Sequence, residues 1–112
     1  MGFDMYLYGR LIGEGPGVGD ELGYWRKHPN LHGFIVQTFA GGMDECQEIP
    51  LTVEDMALIL AATTKDDLPV TAGFFFGQSR PEDRDHTMTV INTAISWLIE
   101  DPAREVYYQA KW

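Results

Sequence analysis

A two-layer α+β fold, with a mixed sheet of about four strands and about three helices packed on one of its faces, is what three features of the sequence predict. Apolar and polar residues alternate at the start of the chain, the signature of a strand with one buried face. Three segments repeat apolar residues at helical spacing, each with a single apolar stripe, which suits helices laid on one side of a sheet. The length of 112 residues, with 45% hydrophobic and 12% aromatic content, bounds the chain to one domain, 1–112, with enough apolar material for a core.

The elements follow in order. Residues 3–8 read as a strand, with Phe3, Met5 and Leu7 on one side and Asp4, Tyr6 and Tyr8 on the other. The glycine-rich stretch 13–19 breaks regular structure and reads as a mobile loop. Residues 22–27 are a short extended segment. Pro29 suits the first turn of a helix whose stripe is Leu31, Phe34, Ile35 and Phe39, and Gly41-Gly42 stops it. Residues 49–51 form a brief strand weakened by Pro50. Thr52 caps the next helix, with Glu54 and Asp55 at its positive end and Val53, Met56, Ala57 and Leu60 as its stripe. Residues 70–76 read as a strand. A turn over 77–81 leads into the longest helix, 82–99, with stripe Met88, Ile91, Ile95 and Leu98, closed by Pro102. Residues 105–112 read as the last strand.

With the helices on one face, the other sheet face carries Tyr6, Tyr8, Phe75, Tyr107 and Gln109. Such an aromatic surface is a candidate interface, and a homodimer through it is one way to cover it.

Composition excludes several classes. Cys46 is the single cysteine, so no intrachain disulfide forms and a reducing compartment is expected. The start of the chain shows neither a basic and apolar leader nor a myristoylation pattern, and no apolar run reaches spanning length. The expectation is a cytoplasmic protein with no membrane partner. A net charge of −9 disfavours direct binding to nucleic acid. The acids are scattered in small groups, which leaves an acidic nucleic-acid mimic as an outlying alternative.

The chemistry-bearing motifs are few. The loop 13–19 fails the dinucleotide fingerprint, because Val18 stands where a glycine is needed, and no Walker lysine is present. His28 and His32 are four apart, with Asp44 and Cys46 downstream, but His28 precedes the proline and lies at or beyond the helix end. A surface His28 and a half-buried His32 are therefore expected, with no metal and no cofactor. Cys46 lacks the surroundings of an activated thiolate. Tyr24-Trp25-Arg26-Lys27 gathers two of the eight cations among aromatics, with His32 behind, and such a cluster binds flat anionic ligands by charge and stacking. Trp25, Arg26, Lys27 and His32 are the candidate ligand-binding residues, and no catalytic residue is assigned.

The ordered set of motifs Met1-Gly2-Phe3-Asp4-Met5-Tyr6-Leu7-Tyr8, Tyr24-Trp25-Arg26-Lys27 with His32, Gly73-Phe74-Phe75-Phe76-Gly77 and Tyr107-Tyr108-Gln109-Ala110-Lys111-Trp112 resembles a group of small phage and prophage proteins over nearly the whole chain. That resemblance implies a mobile-element origin and the host-cell cytoplasm, and it implies no reaction. Some members carry the label phosphoglycerate kinase, which a chain this short without a phosphate loop does not support. The group usually has Asn at the place of Pro29, with Asn30 the neighbour able to substitute. The expected function is an accessory protein that binds a host protein or a small anionic ligand without catalysis. The alternative is a small metal- or thiol-dependent enzyme using His32, Asp44 and Cys46.

Overall fold

The structure, a computed structural model, describes residues 3–71 and 78–112. Its described elements run β1 (Asp4–Leu11), β2 (Asp20–Arg26), α1 (Pro29–Phe39), β3 (Ile49–Leu51), α2 (Val53–Thr64), α3 (Glu82–Ile99) and β4 (Arg104–Lys111). The four strands form one sheet in the order β2-β1-β4-β3. Every pairing among these four described strands is antiparallel, where a mixed sheet is expected from the sequence. Antiparallel pairing follows from the connections: an eight-residue loop folds β1 back onto β2, and β4 returns from the far end of α3. The expected strand at 70–76 falls mostly outside the described residues. Its described part, Val70 and Thr71, is irregular, and Val70 is 94% exposed.

Strand alternation decides the two faces. Met5 and Leu7 of β1, Trp25 of β2, Ile49 and Leu51 of β3, and Val106, Tyr108 and Ala110 of β4 point to one side. There they share a single apolar cluster with Leu31 and Ile35 of α1, Met56 and Ile59 of α2, and Val90, Ile91 and Ala94 of α3. The helices therefore lie on one face, giving the two-layer α+β arrangement. Among the described residues no helix is long and apolar enough to cross a membrane.

The helix termini and stripes follow local chemistry. Thr52 accepts from the Asp55 amide while Asp55 accepts from the Thr52 amide, the reciprocal cap the sequence predicts for α2. Its buried residues are Met56, Ile59 and Thr63, a stripe turned away from Val53 and Ala57. The buried side of α3 is likewise turned, to Thr87, Val90, Ile91 and Ala94. Thr87 takes a core position because the buried Trp25 indole needs an acceptor: Nε1 donates to Thr87 Oγ1 at 2.9 Å.

Two strand glycines bring α3 close to the sheet. A Cβ on Gly23 would lie 2.1 Å from Val90 Cγ1, and one on Gly9 would lie 2.5 Å from the Trp97 ring. Gly23→Ala is therefore expected to destabilise by about 1–3 kcal/mol through overpacking. Urea unfolding midpoints check this against Gly15→Ala, where nothing lies within 4 Å and no change is expected.

Candidate functional site

β2 ends at Arg26, and Lys27, in the left-handed region at φ 59°, turns the chain into α1. Alternation along β2 sends neighbouring side chains to opposite faces. Trp25 is buried under α3, with its ring edge-on to His86 at 5.8 Å. Arg26 is exposed on the opposite face, paired in register with Asp4. The four residues expected to form one ligand cluster are thus divided. Trp25 is core, Arg26 lies on the open face, Lys27 is in the turn, and His32 belongs to a separate buried chain.

That chain runs Tyr108–His32–Asp44. A carboxylate only accepts, so His32 Nε2 carries the proton and donates to Asp44 Oδ1 at 2.9 Å. Nδ1 of the neutral ring then accepts from Tyr108 Oη at 2.7 Å. Burial holds the His32 imidazole below its ordinary value against the pull of Asp44. Burial likewise raises the Tyr108 phenol well above its own. Phe3 and Trp112 close over the ring edge-on at 5.0 and 5.7 Å. His32 is more deeply buried than expected, and both its nitrogens are engaged. Asp44 does meet His32, as the enzyme alternative requires. Cys46 contributes its backbone carbonyl to Gln109 instead. Among the described residues no three His, Cys, Asp or Glu side chains are placed to share a metal ion.

His28 departs furthest from expectation, being only 4% exposed. It occupies the N-cap position of α1, and its ring is turned toward the segment that precedes α3 rather than toward His32. Ser79 Oγ lies 2.7 Å from His28 Nδ1 and accepts from the Asn30 amide at 3.1 Å. The hydroxyl oxygen has two lone pairs and one hydrogen, so beside that amide it can either donate to Nδ1 or accept from Nδ1–H, and the contact fits both tautomers of the neutral ring. Asp83 Oδ2 stands 3.8 Å from Nδ1 and accepts from the Arg80 amide. Among the described residues His28 Nε2 has no hydrogen-bond partner, and neither has Thr63 Oγ1 on a residue 2% exposed.

Both residues line one cavity of about 580 Å³. It opens where the start of α1, the C-terminal end of α2 and the segment leading into α3 converge. Lys65, Arg80 and Arg84 line it, three of the eight cations of a chain with net charge −9, against Asp66 as the lining carboxylate. Asn30, beside the departure at Pro29, lines it too. Buried polar groups are nearly always satisfied, so two orphans on residues lining a cation-lined cavity mark a place for a ligand that supplies hydrogen-bond partners. None of Trp25, Arg26, Lys27 or His32 lines it.

The face away from the helices carries Tyr6, Tyr8, Tyr107 and Gln109, paired in register as Tyr6 with Gln109 and Tyr8 with Tyr107. Tyr6 stacks on Tyr8 at 5.4 Å and tilts against Tyr24 at 5.3 Å. Tyr107 is not available on this surface. The Arg10 guanidinium sits over its ring at 4.2 Å, its hydroxyl donates to the Val18 carbonyl, and it is 2% exposed. Arg10 also bridges Glu48 and Glu105, and Glu48 accepts from the Gly17 amide. The glycine loop expected to be mobile is thus tied down over β4. Phe75 lies outside the described residues.

No family model, curated protein or solved structure matches this chain.

Proposed function

We propose that this chain is a non-catalytic binding protein for a small molecule bearing a phosphate-type group, held in the His28 cavity. The observation that carries this reading is the pair of buried, unpartnered polar groups, His28 Nε2 and Thr63 Oγ1, at a cavity lined by Lys65, Arg80 and Arg84. Donors converge there from three separate elements. A tetrahedral oxyanion offers enough oxygens to use them, whereas a planar carboxylate offers two. Cationic side chains hold such groups through short, charge-assisted hydrogen bonds.

The arrangement favours binding over turnover. Acyl-transfer triads place the nucleophile and the carboxylate on opposite nitrogens of the imidazole. Here Ser79 and Asp83 both lie on the Nδ1 side, at 2.7 and 3.8 Å. The resemblance to phage and prophage proteins supports an accessory role inside a host cell, where a binder of this kind would sequester or sense a phosphorylated metabolite.

Calorimetric titration with inorganic phosphate and pyrophosphate tests the reading. The wild-type chain is expected to bind, and Arg80→Gln and Arg84→Gln are each expected to weaken binding about 10- to 100-fold, the value of one charge-assisted hydrogen bond. Absence of binding by the wild-type chain, or undiminished binding by both variants, overturns it. Arg80 is the cleaner probe, since its side chain is largely exposed and its ion pair among the described residues, with Glu82, is long at 3.7 Å.

A further inference from the structure

Resting on that reading of the cavity, we infer that an oxyanion enters it together with one proton, taken up by the His28 ring. In the empty site the geometry favours the neutral ring. His28 is enclosed, Nδ1 is bonded to Ser79 Oγ, and Nε2 meets no partner among the described residues. The charged groups around it are balanced against one another. Asp83, on α3, favours the imidazolium, and His86, on the same helix, opposes it. Arg80 and Arg84 line the cavity from the α3 side and oppose it, as does Lys65 at the end of α2, where Asp66 favours it. Burial is the largest influence and holds the ring below its ordinary value.

An oxyanion changes this balance on the side that lacks a partner. It accepts from Nε2–H and places negative charge within a few ångströms of the ring. An opposite charge at that range raises a titrating group by about 1–3 pKa units. The imidazolium then has a partner at each nitrogen, because Nδ1–H turns to donate to Ser79 Oγ with the Asp83 carboxylate behind it. The only bond made is one ring N–H, at the nitrogen that is bare in the neutral ring, with its proton supplied by solvent.

Inorganic sulfate is the probe, since its own charge is constant between pH 5.5 and 7.5. Sulfate affinity of the whole chain is expected to rise about tenfold for each pH unit of acidification in the interval where only the bound form is protonated, the signature of one linked proton. Calorimetry in buffers of different ionisation enthalpy counts that proton directly. An NMR titration of the His28 ring with and without sulfate locates it in the unmutated protein. In His28→Asn, which removes one donor of the site, sulfate binding is expected to weaken to a level that no longer changes with pH. Affinity that is flat with pH in the wild type, or a pH dependence that survives in His28→Asn, overturns the proton linkage and leaves the binding reading intact. Failure of both sulfate and phosphate to bind at any pH overturns the binding reading, and the linkage with it.

Discussion

Replacing His32 with leucine is expected to cost about 3–5 kcal/mol, the range for breaking a buried hydrogen-bonded network. The ring it removes joins Tyr108 to Asp44 across the core, from β4 to the loop after α1. Tyr108 has no exposed surface, so its hydroxyl would stay buried without an acceptor. Asp44 is about one-third exposed at its side chain and can turn to water, so its share of the loss is smaller. For a domain of this size the whole folding free energy is about 5–15 kcal/mol, and each kcal/mol moves the melting temperature by about 4–8 °C. A drop of roughly 12–40 °C in thermal unfolding is therefore expected. Adding Tyr108→Phe separates a network effect from lost packing. In the His32→Leu background that second change removes the orphaned hydroxyl, and it is expected to restore stability rather than lower it further. A double variant less stable than His32→Leu would mean that the loss is packing alone.

The same chain shows how unevenly the sequence discloses the structure. Alternation in residues 3–8 and 105–112 and the cap at Thr52 are local signals, and β1, β4 and α2 form where those signals stand. The open tyrosine face follows from parity once the helices are known to share one side, so Tyr6 and Tyr8 were legible. Tyr107 was legible in direction but not in exposure, because Arg10 and the glycine loop that cover it arrive from far along the chain. Trp25 and Arg26 look like one cluster in a linear reading, and strand geometry then separates them across the sheet. Helix stripes were readable to within about one residue. Their rotation was set by tertiary partners, as when Trp25 draws Thr87 into the core.

The cavity was the least legible feature. His28 meets Ser79 across 51 positions, and the arginines beside that serine come from a segment read as a plain turn and helix start. Clustering of scarce cations, the criterion that singles out Arg26 and Lys27, does not mark this region: Lys65 stands beside Asp66 and Asp67, and Arg80 and Arg84 among Glu82, Asp83 and Asp85. Only the fold brings the three cations to one cavity with His28 and Thr63.

Acidification is expected to destabilise the protein from about pH 7 downward, and the two buried histidines supply the reason. Burial holds both His28 and His32 below their ordinary value in the folded chain. Unfolding releases them to an ordinary value of about 6.5. Below that pH the unfolded chain binds protons that the folded chain refuses, so stability is complete above it and falls as pH drops toward the folded values. Each ring can contribute at most about 1.4 kcal/mol per pH unit, the slope of one linked proton. Urea midpoints at pH 7.5, 6.5 and 5.5 measure it, and a flat profile would mean that the rings are charged or solvated in the folded chain. Sulfate divides the loss between the two sites. If it enters the cavity with a proton on His28, it relieves the His28 share at low pH and leaves the His32 share untouched, because that ring is already committed to Tyr108 and Asp44. Part of the acid-induced loss, the His28 share, should then return in saturating sulfate. Full recovery would mean that His32 contributes nothing to the acid response, and no recovery would mean that His28 stays neutral when the cavity is filled.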